Sequence, residues 1–263
     1  MTLPPCRTPF LATTTLATAI LAMPAAARAD DALQGWYAGL DVQQSRVERA
    51  AQTNLDGAWS IESNDLRAFV AGLDAGERRA SGTGAHAHLG YLHAAGERWL
   101  LGVELGLDDG GERVDASQGP VTFPSTAPVT PTYATQSTLE VDRLRVLRGL
   151  VGLRFGESQA VVASVGAARA DVLATTGITS DGGYAKAGRF DGHRSGLQWG
   201  LGWRMALNEH WSVRAEWLQA DLGEVSIENA YLPGSAFTDP AYAERYRIDL
   251  ESRQLRLGLS YRF

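Results

Sequence analysis

The sequence predicts an all-β protein, an up-and-down antiparallel transmembrane β-barrel of eight strands with short turns on one rim and long loops on the other. Three observations carry this. Eight segments alternate between large apolar side chains and small or polar ones, the pattern of strands with two different faces. The connections between them alternate short and long. The one long apolar run lies at the extreme N-terminus, which excludes a bundle of apolar spanning helices. Alternating strands average out to a soluble-looking composition, so the barrel is compatible with 44% apolar residues in a chain of 263. That content is too high for a disordered chain, and a net charge of -6 argues against nucleic acid as the main partner.

The N-terminus reads as an address. Arg7 supplies a short positive region, Phe10 to Met23 an apolar stretch, and Ala27-Arg28-Ala29 a small-x-small cleavage site before Asp30-Asp31. The stretch is shorter than the roughly 20 residues a spanning helix needs. Residues 1–29 are therefore expected to be a signal peptide and residues 30–263 the barrel domain. Cleavage removes Cys6, Arg7 and Arg28, taking the net charge from -6 to -8 and leaving no cysteine. Thiol chemistry, cysteine zinc sites and disulfides are excluded from the mature chain. Lys186 is the single lysine, read here as compositional bias.

The first segment, Gly35 to Val47, sets Trp36, Ala38, Leu40 and Val42 against Tyr37, Gly39, Asp41 and Gln43. The second, about Gly82 to His93, sets Leu89 and Tyr91 against His86, His88 and Gly90. The third, Arg98 to Asp108, opposes Trp99, Leu101, Val103, Leu105 and Leu107 to Gly102, Glu104 and Gly106. The fourth runs from about Leu139 to Phe155; Arg143 and Arg145 there share parity with Leu147 and Val151, so either a bulge intervenes or those arginines lie above the membrane. The fifth, Gln159 to about Leu173, is so rich in small residues that its facing stays open. The sixth, about Gly196 to Leu207, alternates Leu197, Trp199, Leu201, Trp203 and Met205 with Gln198, Gly200, Gly202 and Arg204. The seventh, His210 to about Gly223, sets Trp211, Val213, Ala215 and Trp217 against Ser212, Arg214 and Glu216. The eighth, Leu250 to Phe263, sets Leu255, Leu257, Leu259 and Tyr261 against Gln254, Arg256, Gly258 and Ser260.

The two faces decide the environment. A soluble sandwich buries its apolar face and hydrates its polar one. Rows such as Leu197 to Leu207, with glycine and arginine alternating opposite, instead suit a narrow barrel whose large apolar groups meet hydrocarbon. Short turns fall around Ala95-Gly96, Gly156-Glu157-Ser158 and Asn208-Glu209. Long loops are expected at 48–81, 109–138, 175–194 and 226–249, with residues 64–73 forming a short helix or an extra strand pair. Trp36, Trp99, Phe155, Trp211, Tyr261 and Phe263 all lie near a short turn or a terminus, as an aromatic girdle at the periplasmic interface requires.

The chain ends Arg256-Leu257-Gly258-Leu259-Ser260-Tyr261-Arg262-Phe263, that is polar-x-Gly-x-x-aromatic-x-Phe. This resembles the C-terminal signal that outer-membrane proteins present to the barrel assembly machinery, with Gly258, Tyr261 and Phe263 as its marks. Joined to the opening Gly35-Trp36-Tyr37-Ala38-Gly39-Leu40-Asp41-Val42, the chain is similar to small eight-stranded porin-like surface proteins of the OmpA, OmpX and opacity type. The resemblance implies the outer membrane of a Gram-negative cell. It also implies outer-membrane lipid, lipopolysaccharide and the assembly machinery as partners, and extracellular ligands taken through loops. A peptidoglycan-anchoring domain after the barrel, present in some relatives, is not expected, because the sequence ends on the strand itself.

Candidate chemistry is thin. Asp41, Glu104, Glu216, Arg148, Arg154, Arg204, Arg214, Arg256 and Arg262 fall on the face assigned to the lumen. Charges in a narrow lumen are costly unless paired, so a salt-bridge network is expected to plug it; a gated ion path through a narrow porin-like channel is the alternative. His86 and His88 point the same way and one is placed near Glu104, but no metal site or other cofactor is expected. His193 and Ser195 share an outward face, with Asp221 nearby on the next strand. The His-x-Ser spacing is similar to outer-membrane lipid A deacylases, although Gly196 stands where that family has Asn. The reading adopted is a non-enzymatic surface protein; the channel and the lipid A hydrolase are the alternatives.

Overall fold

The computed structural model describes residues 33–128, 130–155, 158–236 and 238–263; the expected leader at 1–29 and Gly156-Glu157 of one turn lie outside the described residues. Ten strands are formed: β1 Gly35–Gly57, β2 Gly76–Ala95, β3 Trp99–Asp108, β4 Glu112–Thr122, β5 Thr132–Phe155, β6 Gln159–Ser180, β7 Ala185–Ala206, β8 Trp211–Glu228, β9 Ala230–Tyr231 and β10 Tyr242–Arg262. Eight of them close a ring: β1 pairs with β2 and β10, β2 with β3, β3 with β5, and β5 to β8 follow in order to β10. All these pairings are antiparallel. β4 resumes the third strand of the wall after a break at 109–111 and pairs with the upper part of β5, while β9 is a two-residue addition to β7.

The wall has the expected eight strands, but apart from β3 they are about one and a half times as long as the alternation of apolar rows suggested. β1, β5, β6 and β7 run 23, 24, 22 and 22 residues. At about 3.3 Å per residue and a tilt near 40°, such strands rise about 55–60 Å, against about 25 Å for a hydrocarbon band. The expected long loops are largely strand. The 175–194 connection shrinks to a turn at 181–184, and β4 with the upper half of β5 fills most of 109–138. In the first connection a 3-10 turn, Ala58–Ile61, leads to α1, Asn64–Gly72, so residues 64–73 take the helical option. Ser63 caps α1 by accepting from Leu66 N at 3.2 Å. No helix among the described residues is long and apolar enough to cross a membrane.

The pattern missed this length because the two faces exchange character halfway up. Low on the wall, Leu40, Val42, Leu101 to Leu107, Leu147, Val151, Leu197 to Leu201 and Leu255 to Leu259 point outward and are exposed. Above them the outward positions become Arg46, Arg145, Arg169, Ser195 and Arg253. There the apolar residues lie inside: Val47, Leu139, Val141, Val172, Leu222, Val225, Ile227, Tyr246, Ile248 and Leu250 form a dry core. Hydrocarbon surrounds the lower half and water the upper, so the same alternation serves opposite solvents.

Two irregularities shift parity. On β5 the register slips between Asp142 and Arg145, with Arg143 at φ 49°. The bulge and the position above the membrane are both realised there. On β8, Gly223 at φ 73° makes the corresponding slip opposite Leu250 and Glu251, a backbone conformation that favours glycine. The open facing of the fifth segment resolves with Ala160, Val162, Ala168, Ala170 and Val172 inside. The periplasmic floor of the lumen is closed by Leu33, Tyr37, Leu92, Leu100, Leu150 and Val162. At the opposite rim Trp59, Val70 and Leu73 of the first connection pack on Tyr133, Ile178 and Tyr184 as a lid.

Candidate functional site

Between floor and dry core lies a layer of charge. β3 aims Glu104 inward between two inward glycines, Gly102 and Gly106, whose bare Cα atoms leave room for the Leu92 side chain and the His86 ring. Glu104 accepts from Arg148 Nε at 3.0 Å, Arg204 Nη2 at 2.7 Å, Arg214 Nη1 at 2.8 Å and the Tyr37 hydroxyl at 2.7 Å. Glu216 on β8 takes Arg148 Nη2 at 2.5 Å and lies 3.5 Å from Arg204 and Arg214. Arg214 also forks onto Asp41, donating from Nε at 2.7 Å and again from Nη2. Asp41, Glu104, Arg148, Arg204, Arg214 and Glu216 therefore form one buried network, as the face assignment required. Gly258 has a place in it: a Cβ there would strike the Asp41 carboxylate, so the strand must leave that position bare.

The other expected lumen charges are placed differently. Arg256 belongs to a second cluster, donating from Nη2 to both Asp108 oxygens at 3.0 Å and from Nε to Gln43 Oε1 at 3.1 Å. Asp108, the last residue of the third segment, has the parity of Glu104 and joins the lumen charges although it is not among those expected. Arg154 lies on the same face of β5 as Arg148 but six residues nearer the turn, half-buried at the floor. Arg262 serves the periplasmic rim, donating to the backbone carbonyls of Gln34 at 3.0 Å and Glu209 at 2.7 Å.

His86 meets Asp108, with its other nitrogen 3.1 Å from Arg256 Nη1; His88 lies between Ser260 Oγ and Arg214 Nη2, each at 2.8 Å. Their acid partners are thus Asp108 and Asp41 rather than Glu104. Asp41, His86 and His88 offer three ligand atoms within 4.8 Å of one another. A guanidinium donates to the lone pair each ring would give a metal, and two arginine charges at the same place oppose a cation.

Higher up, the single lysine is structural. Lys186 Nζ sits 2.9 Å from Glu244, which also takes Trp59 Nε1 at 2.6 Å and the Tyr184 hydroxyl. Burial and the Glu244 charge push the Tyr184 hydroxyl far above its usual range. Glu112, just above the second cluster, is held above the ordinary carboxylate value mainly by burial, with the charges of Asp108 and Asp142 adding to it. Beside α1 an open groove of about 600 Å³ is bordered by Asn54, Asp56, Arg67, Arg245 and Arg247.

On the outer wall, Trp36, Trp99, Phe155, Trp211 and Tyr261 are all exposed at the turn end. Trp211 stacks edge-on to Tyr261 at 5.0 Å, and Phe263 contacts the same ring at 5.6 Å. Phe263 N also donates to the Trp36 carbonyl at 3.1 Å, seaming the chain end to the first strand. His193 and Ser195 point outward just above the apolar band. The acid beside His193 is Asp171 on β6, 2.6 Å from Nδ1. Asp221 lies opposite Leu197 as expected, but its carboxylate accepts from Gly223 N at 2.9 Å and caps the bulge.

An antiparallel ring of eight strands, apolar where lipid meets it, polar and sealed within, defines the protein as an outer-membrane β-barrel of the Gram-negative type. The chain belongs to the family described as outer membrane protein beta-barrel domain, whose model matches residues 13–263. No curated protein matches it. Among solved structures it is similar to OprG from Pseudomonas aeruginosa, with 14% identity over 88% of this chain and 97% of that one, TM-score 0.45. It is also similar to the outer membrane protease OmpT from Escherichia coli, with 8% identity over 87% and 96%, TM-score 0.45. Ail from Yersinia pestis gives 11% identity over 88% and 100%, TM-score 0.34.

Proposed function

We propose that the protein is a non-conducting, non-enzymatic outer-membrane barrel that holds a closed, lidded platform above the cell surface for interaction with other molecules. One observation carries this reading: the lumen is filled at every level, by the leucine floor, the Glu104 and Asp108 clusters, the dry core and the Trp59 lid. Planar bilayer recordings test it. Silent membranes are expected. Discrete conductance that changes on Glu104→Gln or Arg204→Gln would refute it and favour the porin-like alternative. Exchange of the 58–73 and 229–241 segments with those of another barrel is expected to alter partner binding while leaving the wall assembled.

A second reading, a lipid A-modifying hydrolase, is favoured by the His193–Asp171 pair, which orients an imidazole near Ser195 on the face that meets the outer leaflet. Mass spectrometry of lipid A from cells with and without the gene decides between them. Identical masses are expected; loss of an acyl chain that Ser195→Ala abolishes would establish the hydrolase.

A further inference from the structure

On β5 and β6, Arg145 stands directly opposite Arg169, both outward and exposed, with Arg143 beside them at 73% side-chain exposure. Like charges directly opposite on a sheet destabilise it. Asp171 is the carboxylate within ion-pair distance of them, and Asp142, its register partner, acts on Arg143 from further off. Asp171 lies 3.9 Å from Arg143 and 3.7 Å from Arg145, and is already engaged by His193 at 2.6 Å. Arg169 has no ion pair or hydrogen bond among the described residues. The arrangement carries an excess of positive charge that the protein does not neutralise.

Its height decides what supplies the missing anion. In the row just below, Leu147, Ala167 and Leu197 are register partners across β5, β6 and β7, and they end the apolar band. One pleat up, the same three strands present Arg145, Arg169 and Ser195. The guanidiniums therefore lie where hydrocarbon gives way to headgroups. Beneath them the outward face of β6 is low: Ala163, Val165 and Ala167 run between Leu147 and Val151 on one side and Leu197, Trp199 and Leu201 on the other. With β5 and β7 two strand spacings apart, about 9.5 Å, the trough is wide enough for an acyl chain. Across the barrel, Arg46 also opposes Arg253 at the boundary, but Glu48 and Glu251 stand 3.4 and 3.6 Å from Arg253. That second pair is largely compensated, and the first is not.

We propose that Arg143, Arg145 and Arg169 form a binding site for the phosphorylated saccharide headgroup of an outer-leaflet glycolipid, with one acyl chain lying along the β6 trough. Guanidinium forks match phosphate geometry, and binding would remove the Arg145–Arg169 repulsion. The proposal rests on the placement of the barrel in the outer membrane, and it holds whether or not the lumen conducts or Ser195 reacts.

The test uses native mass spectrometry of the full-length folded barrel in detergent, titrated with bisphosphorylated lipid A. Wild type is expected to retain one lipid. Arg145→Gln/Arg169→Gln is expected to bind at least tenfold more weakly, as loss of one charge-assisted contact implies. Arg245→Gln/Arg247→Gln, the same charge change higher on β10, is expected to bind as wild type. Arg145→Lys/Arg169→Lys keeps the charge but loses the guanidinium fork, so it is expected to bind more weakly than wild type and more tightly than the glutamine pair, and its comparison with wild type remains readable should the glutamine pair fail to fold. Equal binding by the glutamine pair, or equal binding of lipid A stripped of its phosphates, would overturn the site. So would equal loss in the Arg245/Arg247 control, or displacement of lipid A by an equimolar amount of inorganic phosphate, which would make the free ion the ligand. Bilayer conductance would overturn the closed-lumen reading alone.

Discussion

Removing Glu104 tests whether the lumen is held shut by charge pairing. Its carboxylate accepts from Arg148, Arg204, Arg214 and Tyr37 within 3.0 Å. In Glu104→Ala three buried guanidiniums are left with Glu216 and Asp41, two negative charges for three positive. Breaking a buried pair by deleting one partner costs about 3–5 kcal/mol, because the other charge stays in a medium that cannot solvate it. At about 2–4 °C per kcal/mol for a chain of this size, the folded band in heat-modifiability gels should melt roughly 6–20 °C lower. Glu104→Gln keeps an acceptor and loses only the charge, so a smaller loss of about 1.5–3 kcal/mol is expected. Adding Arg148→Met to Glu104→Ala removes the surplus cation and should recover part of the loss. Glu77→Ala, an exposed change, should stay within about 0.5 kcal/mol. A Glu104→Ala barrel that melts with the Glu77→Ala control, or a double variant less stable than the single by the full additive amount, would refute the argument.

Three further outcomes follow from the structure. Glu112 has a folded-state pKa raised by burial, so its contribution is fully present below the unfolded value near 4.5 and is lost as pH rises through the raised value. Glu112→Gln is thus expected to stabilise the barrel at neutral pH, with the gain vanishing in acid denaturation curves below about pH 4.5; a pH-independent difference would contradict this. Trp59→Ala opens a cavity under the lid and removes a donor to Glu244, a local cost of about 3–5 kcal/mol. Amide exchange at 58–73 should accelerate while the ring strands stay protected, and global acceleration would show that the lid is not a separate unit. Deleting Phe263 should lower the amount of barrel in the outer membrane while export to the periplasm continues; unchanged levels would remove the assembly role of the chain end.

The lower half of the molecule was legible in the sequence because lipid imposes a simple rule. Leu197, Trp199 and Leu201 had to point one way, and Gln198 and Arg204 the other, and they do. The lumen charges followed from the same parity, which placed Asp41, Glu104, Arg148, Arg204, Arg214 and Glu216 together. Asp108 has the same parity at the last position of its segment, so the rule that placed Glu104 reaches it as well. The upper half was misread as loops since its outward residues are polar and its inward ones, such as Val114, Ile227, Tyr246 and Ile248, are apolar, the reverse of the rule that holds below. The β5 bulge could be posed as an option from Arg143 and Arg145 but not located. The His193 partner was missed for the same reason, since Asp171 belongs to a strand whose facing small residues had concealed.

Seven of the eight staves run from the turn end into the upper half without a gap, the third being broken at 109–111, and this fixes how the molecule meets mechanical load. A pull at the mouth is carried in shear by hydrogen-bonded ladders around the whole cylinder, not by slack tethers peeled one at a time. A molecule bound there, as proposed, would be kept at a set standoff of roughly 30–35 Å, the rise of the strands beyond the hydrocarbon band. In stiffness the barrel is a mast rather than a tether.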